Sequence, residues 1–215
     1  MNNIKCIIFD FDDTIVFSEK MKLDTFLEIS NIYNDIGLNY YNNNINNKLS
    51  REQFLKGLSE IIIKNSLIDS NSARYFYNIL LDKFNNIITN KLKYSQLIPN
   101  IDNFLKLLYD KGYKLYISSK SIESDIISTL KHKDLFKYFH GIYGKPYSKD
   151  IHFKLIRDIE NIKNNNIYFF GDSLSDYNLS IEEKCNFIGI IAYRNELKDI
   201  NCNKIKDYNE IKHLF

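Results

Sequence analysis

Residues 7–16 read Ile-Ile-Phe-Asp-Phe-Asp-Asp-Thr-Ile-Val, and no other stretch constrains the chain as strongly. Ile7, Ile8 and Phe9 form a continuous apolar run, the pattern of a strand buried on both faces of a parallel sheet. The run stops at Asp10. In open α/β sheets the carboxyl ends of the strands are where ligands and catalytic groups collect, and Asp10 is expected at such an end. Asp12 follows two residues later, and residues at i and i+2 of a continuing strand share a face. Like charges crowded in this way call for a cation or a shifted pKa. Three readings of the stretch are open at this point. It could be a metal or acid/base centre, a receiver-like phosphoacceptor site using the Asp12/Asp13 pair, or a strand ending in a solvated acidic turn capped by Thr14.

A chain of 215 residues has room for one large domain, or for a core with a smaller insert. The 29 Lys+Arg and 27 Asp+Glu leave a net charge of +2, so there is no electrostatic case for nucleic acid or a membrane surface as main partner. Cys6, Cys185 and Cys202 are odd in number and lie far from any histidine pair, which indicates neither a disulfide framework nor a zinc site. Cys6 reads as a small core residue of the first strand. The first residues lack the apolar stretch of a signal peptide, and no segment approaches the length of a membrane-spanning helix. A reduced, cytoplasmic setting is the expectation.

After Val16 the strand pattern gives way to roughly eighty residues of helical periodicity. Leu23, Phe26, Leu27, Tyr33 and Ile36 line one helix, with Gly37 expected just past its C-terminus. Residues 40–48 are Asn-rich and read as a loop. Ser50 and Gln53 form a capping box for a second helix carrying Phe54, Leu58, Ile61 and Ile62. Ala73, Tyr77, Leu80, Phe84 and Ile87 mark a third. These stripes predict a small helical bundle packed on itself.

From Pro99 onward strands and helices alternate. A short helix over 101–109 stops before Gly112, and a strand over 113–117 runs into Ser118-Ser119-Lys120. A helix then covers 122–130, and an apolar piece over 141–143 leads to Lys145-Pro146-Tyr147-Ser148-Lys149-Asp150 and a further helix. Another apolar strand, 167–170, ends in Gly171-Asp172-Ser173-Leu174-Ser175-Asp176. A strand over 187–191 follows, and the C-terminal residues are expected to dock on the sheet. This alternation predicts an α/β fold with a doubly wound parallel sheet, whose polar strand ends share one edge. That edge would gather Asp10, Asp12, Ser118, one or both of Lys145 and Lys149, Asp172 and Asp176. Carboxylates without a Cys or His cluster select a hard cation, Mg²⁺ before others, while hydroxyl and ammonium donors suit phosphate oxygens. Together they describe phosphoryl transfer.

These residues resemble the motifs of the haloacid dehalogenase-like (HAD) superfamily of hydrolases. Residues 7–14 are similar to its first motif, 115–118 to its second, the lysine segment to its third and 171–176 to its fourth. Order and spacing match across nearly the whole chain. The resemblance implies a Rossmann-like core from residues 1–15 and 95–215 with an inserted helical cap over 16–94, of the phosphoglycolate phosphatase and β-phosphoglucomutase type. It implies that Asp10 is the nucleophile, forming an aspartyl-phosphate, and that Asp12 is general acid and then base. Ser118 and the motif lysine would hold the phosphoryl oxygens. Mg²⁺ would be ligated by Asp10, the backbone carbonyl of Asp12 and Asp172, with Asp176 supporting the site, and Asp13 would have no catalytic role. The third motif departs from the commonest form. Gly144-Lys145-Pro146-Tyr147-Ser148-Lys149 aligns with the G-S-P-x-S-K of related members, which favours Lys149 and leaves Lys145 as the substitute. The implied partner is a small phosphorylated metabolite. A β-phosphoglucomutase-like phosphomutase is the alternative enzyme, since Ser50-Arg51-Glu52 faintly resembles the corresponding cap, although the capping box explains that tripeptide equally well. A non-catalytic binding module is the alternative from another class, but it would have to retain Asp10 and Asp172 without using them. The four histidines, His132, His140, His152 and His213, read as surface or packing residues.

Overall fold

The computed structural model describes residues 6–47, 49–65, 72–193 and 196–215. The chain divides into two compact units, one formed by the residues up to Ser18 together with Lys93–Phe215, the other by Glu19–Leu92.

The first unit is built on a six-stranded, wholly parallel sheet. Its strands are β1 (Cys6–Phe9), β2 (Lys114–Ile122), β3 (Gly141–Lys145), β4 (Ile167–Gly171), β5 (Asn186–Ile190) and β6 (Asn203–Ile205). They lie in the order β3-β2-β1-β4-β5-β6, so the winding reverses at β1. Such a reversal opens a crevice beyond the carboxyl ends of the strands on either side of it. Register makes the crevice specific: Phe9 is level with Ile117 of β2 and with Phe170 of β4. The residues that follow each of these therefore emerge together.

Four helices belong to this unit among the described residues: α5 (Ile101–Asp110), α6 (Glu123–His132), α7 (Lys149–Glu160) and α8 (Leu174–Glu182). Side chains alternate across the sheet, and the two faces have separate cores. On one, Cys6, Ile8, Tyr116, Ile167 and Phe169 pack with Phe153 and Ile156 of α7. On the other, Phe9 stacks on Phe170 at 4.9 Å between ring centroids, and Phe104 of α5 stacks on Tyr208 at 5.1 Å. Tyr208 is wholly buried, and its hydroxyl donates to the carbonyl of Thr14 at 2.9 Å. The C-terminal residues thus dock on the sheet as expected, and β6, which is too short to show a strand period, adds its edge.

The second unit contains α1 (Glu19–Asn31), α2 (Asn34–Asn44), α3 (Arg51–Asn65) and most of α4 (Ala73–Lys93). Phe26, Phe54 and Phe84, from α1, α3 and α4, meet with centroid separations of 4.4 and 4.7 Å about Phe26. The capping box forms as read: Gln53 Oε1 accepts from Ser50 N at 2.8 Å, and Ser50 Oγ accepts from Gln53 N at 3.1 Å.

Two expectations in this unit are corrected. The first helix ends at Asn31, and Gly37 lies inside α2 instead of behind a C-terminus. Gly37 is buried, and a Cβ there would stand 2.0 Å from the carbonyl oxygen of Ser30, so the glycine is required by the close approach of α1 and α2. The expected Asn-rich loop over 40–48 is helical as far as Asn44, because Tyr40 packs edge-on to Phe54 at 5.1 Å and tertiary contact outweighs the weak helix propensity of asparagine. Lys48 lies outside the described residues.

Among the described residues no helix is long and apolar enough to cross a membrane.

Gly37 yields a prediction of sign. By propensity alone, alanine in a helix interior stabilises relative to glycine, but here the added methyl meets backbone. Gly37→Ala should destabilise the protein by about 1–3 kcal/mol, the usual cost of overpacking, measured by chemical unfolding followed by circular dichroism. Equal or greater stability would refute the close-approach explanation.

Candidate functional site

Asp10 is the first residue beyond β1, and its N–H donates to the carbonyl of Phe170 at 2.8 Å, which carries the sheet ladder one residue past the strand. The residue is 5 % exposed. Asp172 is the first residue beyond β4 and is also buried. Asp176 comes from the first turn of α8, where a helix N-terminus favours negative charge. A Cβ at Gly171 would lie 2.6 Å from the Cβ of Asp176, so bare backbone at 171 is what lets α8 seat that carboxylate against the strand. Asp10, Asp172 and Asp176 each offer an oxygen, and these atoms all lie within 4.8 Å of one another.

Lys149, the first residue of α7, enters this cluster from the other side of β1. Its Nζ donates to Asp10 Oδ1 at 2.7 Å and to Asp176 Oδ1 at 2.6 Å, with the side chain 7 % exposed. Burial lowers the pKa of the ammonium, but the carboxylates of Asp10 and Asp176 hold it above the ordinary lysine range. Asp10 shows the converse. Burial pushes its carboxyl up to about 7 against the pull of Lys149, and the charges of Asp176 and Asp12 add to the rise.

Asp12 has partners outside this cluster. Its Oδ1 accepts from Ser18 Oγ at 2.6 Å and its Oδ2 from Ser121 Oγ at 2.5 Å, and the residue is only half-buried. Asp13 adopts a left-handed backbone, φ +50°, and its Oδ1 accepts from the N–H of Ser18 at 2.8 Å. Asp12 and Asp13 thus bond to different groups of Ser18, while the charge of Asp12 still adds to the rise at Asp10. Ser118 is wholly buried one residue past the level of Phe9, with its Oγ 3.0 Å from His152 Nδ1. Asp10, Asp172, Asp176 and Lys149 are therefore brought together, and Asp12 is held near by its own partners. Lys145 ends β3, the edge strand, and is exposed.

Sequence reasoning missed three participants. Ser18 and Ser121 have no pattern that marks them; they follow from the turn after Val16 and from the register shift in β2 between Ser118 and Ile122. His152 had a signal, because it lies three residues beyond Lys149 and so on the same helix face.

The donor set is oxygen-only, and one ammonium faces three carboxylates, which fits a hard divalent cation better than zinc or copper. Asp10, Asp172 and Asp176 are the residues able to hold it.

Among curated proteins, none matches the chain. Solved structures of similar fold include a haloacid dehalogenase-like family hydrolase from Streptococcus pneumoniae, 17 % identical over 100 % of each chain with a TM-score of 0.69. A predicted phosphoglycolate phosphatase from Haemophilus somnus is 19 % identical, covering 100 % of this chain and 99 % of its own, at a TM-score of 0.70. A predicted phosphatase from Clostridium acetobutylicum is 18 % identical over 98 % of this chain and 97 % of its own, at 0.66. At such identities these likenesses speak for the fold alone. The family assignment comes from the sequence model of the haloacid dehalogenase-like hydrolases, which matches residues 7–190 and so includes every strand-end residue described above. The chain belongs to the haloacid dehalogenase-like hydrolases.

Proposed function

We propose that the protein is a Mg²⁺-dependent phosphatase that cleaves a small phosphorylated metabolite through an aspartyl-phosphate on Asp10. The observation that carries this reading is the Lys149 ammonium seated between Asp10 and Asp176 beside Asp172. It is a compact cation and carboxylate array at the carboxyl ends of the strands, suited to a phosphoryl group and a metal.

In this mechanism a carboxylate oxygen of Asp10 attacks phosphorus as the bond from phosphorus to the leaving oxygen breaks. Asp12 gives its proton to that oxygen. It then takes a proton from water, whose oxygen attacks the phosphorus and releases inorganic phosphate, restoring Asp10. Two hydroxyls, those of Ser18 and Ser121, donate to the Asp12 carboxyl and fix its aim, which suits it to pass a proton beside the nucleophile. Ser118 and Lys149 hold the phosphoryl oxygens. Asp10, the carbonyl of Asp12 and Asp172, with Asp176 in support, would hold Mg²⁺, which would supply positive charge and so favour the ionised Asp10 that burial otherwise disfavours. The burial and ion pairs of Lys149, against the exposure of Lys145, support Lys149 as the third-motif lysine.

The helical unit, which interrupts the core between β1 and α5, serves as a cap that chooses substrate and excludes water. Ser50-Arg51-Glu52 gives no support to a phosphomutase. Ser50 caps α3, and Arg51 donates to Asn85 Oδ1 at 2.9 Å and Glu52 Oε1 at 2.8 Å within the helical unit. A reducing, cytoplasmic compartment suits the three free cysteines.

Phosphate release should be measured over sugar phosphates, nucleotides, phosphoglycolate and p-nitrophenyl phosphate. The wild type should turn over part of the panel, and Asp10→Asn should lose at least about 10³-fold in kcat/KM. Removing divalent metal with a chelator should silence the wild type, and Mg²⁺ should restore it. A wild type silent on every member, or an active Asp10→Asn, would sink the proposal.

The two lysines separate in the same assay. Lys149→Met should cost about 10²-fold or more, and its thermal unfolding without metal should come earlier, because two buried carboxylates lose their counter-ion. Lys145→Met should stay within about twofold of the wild type, as expected of an exposed charge. The reverse ranking would move the motif to Lys145.

A further inference from the structure

The mechanism above leaves one buried titratable group unused. His152 lies in α7 one turn beyond Lys149 and is 2 % exposed. Its ring lies 5.6 Å from that of Tyr143, tilted by 31°. Nδ1 stands 3.0 Å from Ser118 Oγ, while Nε2 is buried with no hydrogen-bond partner. Burial lowers the pKa of the ring. The Gly144 backbone, Glu123 and Asp150 oppose this, and the charge of Lys149 reinforces it. The imidazole is therefore neutral near pH 7 and carries a single N–H.

The location of that proton decides what Ser118 can do. A hydroxyl has one hydrogen to give and two lone pairs to receive with. With the proton on Nε2, a buried N–H lacks a partner in bonding geometry, and Ser118 spends its hydrogen on Nδ1. With the proton on Nδ1, the ring donates to Ser118 Oγ and the hydroxyl hydrogen is left for another acceptor at the strand end. Nε2 is unmet in both arrangements, and a buried unmet donor is rarer in folded proteins than a buried unmet acceptor, which favours the second.

We propose that His152 is a positioning residue that donates through Nδ1–H to Ser118 Oγ, thereby committing the Ser118 hydroxyl hydrogen to the phosphoryl oxygen of the substrate. This rests on the reading of Ser118 as a phosphoryl-binding group. One helix then governs two contacts. Lys149 at the start of α7 supplies a charge, and His152 on the same face aims a hydroxyl. A phenyl ring would fill the same space and pack against Tyr143, but it could not aim the serine.

The tautomer is read directly by two-bond ¹⁵N–¹H correlation spectra of the labelled wild type. A protonated Nδ1 with a bare Nε2 is expected, and a proton on Nε2 overturns the proposal. Binding of inorganic phosphate in the presence of Mg²⁺, measured by calorimetry, tests the consequence. Ser118→Ala and His152→Phe should each weaken it about tenfold, the scale of one hydrogen bond to a charged group. The double variant should be no weaker than either single one, and His152→Asn, which keeps an N–H near the Nδ1 position, should recover most of the loss. Unchanged binding in His152→Phe, or losses that multiply in the double variant, overturns the proposal. Unchanged binding in Ser118→Ala instead removes the phosphoryl-binding reading of Ser118, and this inference with it. Should His152→Phe fail to fold, the wild-type spectrum and His152→Asn still decide.

Discussion

Three carboxylates within 4.8 Å of one another at the edge of a buried sheet would force each other apart or take up protons if nothing opposed them. Lys149 opposes them. Its ammonium is hydrogen-bonded to two of the three and comes from a helix whose buried apolar side chains, Phe153 and Ile156, anchor it to the sheet face. The apolar core of α7 thus fixes the position of a charge, and the charge keeps the acidic cluster compact. The compensation is partial. Burial still outweighs Lys149 at Asp10, so the array has capacity for further positive charge, as a site for a metal and a phosphoryl group requires.

Much of this was legible because parallel sheets convert sequence order into spatial order. An apolar run ending in a polar residue states where a strand stops, and once β1, β2 and β4 are neighbours in register, Asp10, Ser118 and Asp172 must emerge together. The choice between Lys145 and Lys149 could not be settled on the same ground. Both lie in one short segment between a strand and a helix, and only the fold leaves the former exposed at the end of an edge strand and buries the latter at a helix start. Gly37 and the asparagines after it misled for a related reason. Local preferences for stops and turns were overruled by contacts with residues distant in sequence, Ser30 and Phe54. His152 was visible as a helix-face neighbour of Lys149, but no sequence pattern reveals that it reaches Ser118.

Ser18 shows how a short polar side chain organises charges it does not neutralise. Its N–H goes to Asp13 and its hydroxyl to Asp12, so one residue fixes the directions of two adjacent carboxylates. Asp13 accepts a left-handed backbone as part of this arrangement, a conformation aspartate tolerates better than most residues. The turn is closed as well by the Asp13 N–H bonding to the Val16 carbonyl at 2.8 Å. The result is a carboxyl at Asp12 with two donors and a fixed aim, set by residues that belong to the same turn or to the strand beside it.

The place of β1 in the sheet has a consequence for how the chain reaches this state. The first of the described strands in chain order lies inside the sheet, paired on one side with β2 and on the other with β4. As the chain leaves the ribosome, the apolar segment over 6–9 has no partner until residue 114 and no second one until 167, whereas the helices of the inserted unit draw on contacts much nearer in sequence. Long-range parallel pairing is slow to form and leaves apolar strands open to association in the interval. Nascent chains halted before β4 should leave one edge of this wholly apolar strand open, which makes that interval the period in which a holding chaperone matters most.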